Sequence, residues 1–81
     1  MGIYTHIHLG REATDNELRQ QYKKIAELEA AGIPVGGRTP IGDVPYYNQR
    51  EWQTLDAANN WITFVNYTFN PGPISAVVVQ N

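Results

Sequence analysis

Apolar and polar positions change their spacing several times along this 81-residue chain, and each change marks an element. From Ile3 to Leu9 they alternate. Ile3, Thr5, Ile7 and Leu9 point one way, and Tyr4, His6 and His8 point the other. That is the pattern of a strand with one side on a core. Thr14-Asp15-Asn16-Glu17 reads as a capping box: Thr14 accepts from the amide of Glu17, and Glu17 reaches back to the amide of Thr14. The helix it opens runs to about Ala31. Leu18, Tyr22, Ile25 and Leu28 form its expected buried stripe, with Arg19, Lys23 and Glu27 on the wet side. Gly32 and Pro34 end it.

Residues 33–45 are rich in Gly and Pro, which no helix tolerates; a short irregular strand or an extended loop is expected there. Tyr46 to Gln53 alternates again. Tyr46, Asn48, Arg50 and Trp52 share one face, and Tyr47, Gln49, Glu51 and Gln53 share the other. Thr54 caps a second helix that places Leu55, Ala58, Trp61, Ile62, Val65 and Phe69 on one side. Its β-branched and aromatic end, Ile62-Thr63-Phe64-Val65, would also suit a strand, but the sustained helical period decides for helix. Asn70-Pro71-Gly72-Pro73 breaks the pattern, and Ile74 to Gln80 is a final strand. The sum is one α+β domain: two helices on one face of a small, mostly antiparallel sheet, in a split βαβ or ferredoxin-like manner.

The last strand is apolar on both sides. Ile74, Ala76 and Val78 face one way, Val77 and Val79 the other. Two helices cover only one face of a small sheet, so the second face needs another cover. A second copy of the chain provides one. The competing expectation puts Val77 and Val79 beneath the Gly/Pro segment.

Composition narrows the function classes. A chain of this length makes one domain with a small core, and such chains often gain stability from disulfides, metals or self-association. There is no cysteine, which removes disulfides and thiolate zinc sites and leaves self-association. The net charge of −2, with six basic residues, argues against a general nucleic-acid binder. No apolar run approaches the ~20 residues that span a bilayer, and the N-terminus does not resemble a secretory signal. A soluble, cytoplasmic protein is expected.

Three groups of residues carry possible chemistry. His6 and His8, two apart on a strand, project from the same face and could share a metal, but Asp43, Glu51 or a symmetry mate would have to complete the ligands. The alternative is two polar residues on the outer sheet face, hydrogen-bonded to Tyr or Gln neighbours. Gly36-Gly37-Arg38-Thr39 reads either as a flexible turn or as an anion nest with a guanidinium beside it. Tyr46, Tyr47, Arg50 and Trp52 form an aromatic-basic cluster of the kind that interfaces enrich and planar ligands stack on; alternatively Trp52 packs under the second helix with Arg50 covering it. No catalytic set stands out, and no residue pattern calls for a cofactor.

The segment Trp52-Gln53-Thr54-Leu55-Asp56-Ala57-Ala58-Asn59-Asn60-Trp61-Ile62-Thr63-Phe64-Val65-Asn66, with Asn70-Pro71-Gly72-Pro73-Ile74-Ser75-Ala76-Val77-Val78, resembles the end of small uncharacterised proteins of tailed bacteriophages. The likeness covers about a third of the chain and holds helix and core positions without a catalytic motif. It implies a viral accessory protein in a bacterial cytoplasm that inhibits or retunes a host protein, or traps a host signal molecule. The topology also resembles the dimeric α+β barrels, a likeness of fold alone. The leading expectation is therefore a homo-oligomeric interaction protein that modulates a host factor. A nucleotide-signal binder using Arg38, Arg50, Tyr47 and His6 is the second, and a dimeric-barrel enzyme using His6 or His8 the third.

Overall fold

The computed structural model describes residues 2–81. The elements run β1 (Ile3–His8), α1 (Asp15–Ala30), β2 (Thr39–Pro40), β3 (Tyr47–Trp52), α2 (Leu55–Thr68) and β4 (Ser75–Gln80). The strands form one sheet in the order β2-β3-β1-β4, and every neighbouring pair is antiparallel. β1 and β2 therefore run in the same direction with β3 between them, and β3 and β4 do so with β1 between them. Each helix thus joins two parallel strands across a strand that lies between them, as in a split βαβ sheet.

The local signals explain where the helices begin. Thr14 Oγ1 accepts from the Glu17 amide at 3.1 Å, and Glu17 Oε1 accepts from the Thr14 amide at 2.9 Å, so the capping box is complete. Thr54 Oγ1 accepts from the Ala57 amide at 3.1 Å and starts α2. The Ile62–Val65 stretch stays helical because Trp61 and Val65 lie one turn apart on the buried side.

Register then decides which strand residues meet the helices. Thr5 stands opposite Arg50 on one side and Val78 on the other; Ile3 stands between Trp52 and Gln80, and Ile7 between Asn48 and Ala76. Ile7 and Trp52 join Ala57, Ala58, Trp61, Val65 and Phe69 in the core. The Trp52 and Trp61 rings lie 5.4 Å apart between centroids, a separation at which aromatic pairs attract. Thr5 is fully buried and accepts from Trp52 Nε1 at 3.0 Å, so the indole N–H has a partner in the core.

Four expectations need correction. Tyr22 is 64% exposed; the inward stripe of α1 is Glu17, Gln21, Ile25 and Leu28 instead. The helix is rotated because Glu17 is anchored inward by Arg11 and by the Asn70 amide. Leu55 is exposed, and burial in α2 begins at Ala57. Ile74 is exposed and precedes β4. Tyr46 also lies outside its strand: its φ of 57° puts it in the left-handed region, a turn conformation, and β3 begins one residue later.

The Gly/Pro segment contributes the two-residue β2 and otherwise runs as loop. At Gly36 it passes so close to β3 that a β-carbon would lie 2.5 Å from the Glu51 carbonyl oxygen, which only glycine avoids. β2 and β4 occupy opposite edges of the sheet and Val77 is half-exposed, so this segment does not roof Val77.

Candidate functional site

The predicted site residues divide between the two sides of the sheet. On β1, Tyr4, His6 and His8 point away from the helices, and Tyr47, Gln49 and Glu51 of β3 and Val77 and Val79 of β4 share that open face. Arg50 and Trp52 point to the opposite, helix-covered side. Arg38 sits in the exposed loop before β2, and Tyr46 in the exposed turn before β3. The four contacts grouped above for a ligand therefore do not converge: His6 and Tyr47 lie on one face, Arg50 on the other.

Alternation along three adjacent strands builds the open face. β1 runs through its middle. Tyr47 stands directly across from His8, with ring centroids 5.0 Å apart, and edge-on to His6 at 6.4 Å. Tyr4 and His6 are 6.5 Å apart. On the other flank Val77 lies opposite His6 and Val79 opposite Tyr4. Val77 remains 50% exposed. The result is an aromatic and imidazole ridge with an aliphatic border and Glu51 as its one carboxylate. Among the described residues no three metal-ligating side chains converge, so His6 and His8 lack the third ligand that a metal would need. No described helix is long and apolar enough to cross a membrane.

The covered side holds two charged groups of different kinds. Glu17 accepts from both terminal nitrogens of Arg11, at 2.8 and 2.9 Å, and from the backbone amides of Thr14 and Asn70. Arg11 also donates to the Pro71 carbonyl at 2.7 Å. The Arg11 hydrogen bond is the main reason that the Glu17 carboxyl titrates at about 2; burial opposes it, and the backbone amides assist. This cluster ties the start of α1 to the loop that follows α2, a structural role that leaves the carboxylate fully used.

Arg50 is the other charge, and among the described residues no salt bridge joins it to an acid. It is only 8% exposed. One Nη donates to the Gly36 carbonyl at 2.7 Å, and the guanidinium lies 5.1 Å from the Trp61 ring centre, in cation–π range. Burial, and secondarily the nearby Arg38, pull its pKa down. Gln21 and Asn48 stand around the same space and were not singled out as site residues. The alternation of β3 put Asn48 beside Arg50, but nothing in the sequence pointed Gln21 inward while Tyr22 held the apolar place in the helical stripe.

No family model, curated protein or solved structure matches the chain. The two faces of the sheet therefore carry the functional reading.

Proposed function

We propose that the chain is a small homo-oligomeric binding protein whose subunits meet through the open face of the sheet. The observation that carries this reading is the half-exposed Val77 beside His6, on a strand whose alternate residues are covered by a helix. Tyr4, Tyr47, Val77 and Val79 offer apolar area to water, and the ridge holds a single carboxylate. Interface centres have that composition: aromatic residues enriched, acids and lysines depleted. A two-fold axis would set the same ridge against itself, sheet on sheet at roughly 10 Å. On the likeness of its C-terminal third to phage proteins, we read the oligomer as an accessory protein acting on a host factor in the bacterial cytoplasm.

Sedimentation velocity tests the reading. The expected result is a dimer or larger species at micromolar protein, with a melting temperature that rises with concentration, because association stabilises the folded form by mass action. Val77→Glu should sediment as one subunit while keeping the far-ultraviolet circular dichroism of the parent. A parent chain that stays a folded single subunit at high concentration removes the proposal.

A further inference from the structure

A small cavity of about 40 Å³ lies on the helix-covered side of the sheet. Its polar lining is Gln21, Arg38, Asn48 and Arg50, and Trp61 and Phe69 are among its apolar walls. All four polar side chains carry N–H donors, and none is a carboxylate. Arg11–Glu17 is the one salt bridge among the described residues, so neither Arg38 nor Arg50 has an acidic partner there. The Gly36 carbonyl takes one of the five N–H donors of Arg50, and the Trp61 ring lies against its plane. These contacts place the guanidinium without neutralising it.

Two cations without a counter-charge at one cavity are costly. Apolar walls lower the local dielectric, which strengthens the repulsion between the arginines and, equally, their attraction for an anion. Arg50 already registers that cost in its lowered pKa, first through burial and second through Arg38. The volume sets the size of the ligand. At 10–15 Å³ for each water, the cavity has room for roughly three, which suits a tetrahedral oxyanion and is too little for a nucleobase. Access is available at the exposed Arg38, while Arg50 is fixed at the floor by β3 and Gly36.

We propose that this cavity binds a single phosphate group, with Arg50 at the floor, Arg38 at the mouth, and the side-chain amides of Gln21 and Asn48 completing the hydrogen bonds. The site is on the opposite side of the sheet from the proposed subunit contact and does not depend on it. The phosphate can arrive as the free inorganic ion or as the terminal group of a nucleoside monophosphate whose remainder stays outside.

Titration of the ¹⁵N-labelled protein with inorganic phosphate, at ionic strength held constant with chloride, tests the site. Saturable shifts are expected at the Gln21 and Asn48 side-chain amides and at the Trp61 indole N–H. Arg38→Ala should weaken binding about tenfold or more without altering the spectrum of the free protein, since a charge-assisted hydrogen bond is lost from an exposed position. A parallel titration with a nucleoside monophosphate distinguishes the sources. Shifts at the same residues with the same Arg38 dependence mean that the group can enter on a nucleotide, and a response to inorganic phosphate alone identifies the free ion. Shifts scattered over the surface, no saturation at millimolar phosphate, or affinity unchanged in Arg38→Ala would each overturn the assignment.

Discussion

The covered and open faces of this sheet come from the same strands, yet they treat polar residues in opposite ways. On the covered side the main buried polar groups have partners, with Arg11 Nε left without one. Thr5 receives the Trp52 indole N–H, Glu17 receives Arg11 and two backbone amides, and Arg50 donates to Gly36. A low dielectric demands this, because an unpaired buried group loses its water without compensation. On the open side Tyr4, His6, His8 and Tyr47 meet as rings. Buried polar residues here record how the fold is held; exposed apolar ones record what it can meet. Arg50 belongs to neither group cleanly, since its hydrogen bond is made and its charge is not balanced.

That contrast breaks most severely at Trp61. Its ring packs on Trp52 and Phe64 and lies against Arg50. Trp61→Ala should cost about 3–5 kcal/mol, the range for removing a large aromatic from a core. Domains of this size sit low in the usual stability range of about 5–15 kcal/mol, so urea denaturation should find the variant largely unfolded or nearly so. Survival with only a small shift in midpoint would mean that the helix-covered face is not the main core.

The Glu17 cluster comes next. Glu17→Ala removes the second half of a capping box and strands Arg11, at an expected cost of about 2 kcal/mol. The pH dependence follows from the same contacts. The carboxyl titrates near 4.5 when free and at about 2 in the folded chain, so in acid the unfolded chain takes up the proton first. The stability that Glu17 contributes is complete above pH 4.5 and drains away as pH falls from there toward 2. Denaturation midpoints measured across that window should fall less steeply in Glu17→Gln than in the parent; identical slopes would show that the cluster is not formed.

Much of this was legible in the residues and some was not, for physical reasons. Alternation in Ile3–His8 and Tyr47–Trp52 separated the two faces correctly, because register in a sheet with one covered side leaves little choice. The capping box at Thr14 and the cap at Thr54 read directly, since both are local hydrogen bonds. What misled was the inner face of α1. Helical spacing ranks residues by hydrophobicity, so Tyr22 outranked Glu17 and Gln21; the winning interaction was an ion pair to Arg11 and a contact from Asn70, 53 positions away. The cavity was illegible for the same reason. Arg38, Asn48 and Arg50 are near in sequence, but Gln21 joins them only through the packing of α1.

Thr5 and Tyr47 give the sharpest pair of tests because they stand on opposite faces of neighbouring strands. Thr5→Val keeps the volume and removes the hydroxyl, leaving the Trp52 indole N–H buried without an acceptor. The expected loss is about 1–2 kcal/mol, read from denaturant midpoints. Trp52→Phe should cost less in the Thr5→Val background than in the parent, because the donor it removes already lacks an acceptor there. Tyr47→Ala removes the cross-strand contact with His8 on the open face, where such pairs contribute roughly 0.2–1 kcal/mol. At protein concentrations low enough to separate the proposed oligomer, its effect on unfolding should therefore stay near 0.5 kcal/mol or below. At higher concentration the same substitution should cost more, because the ridge it interrupts would then be the subunit contact. A Tyr47→Ala penalty that is the same at every concentration would leave the open face as plain surface, and the asymmetry between the two sides would be one of folding alone.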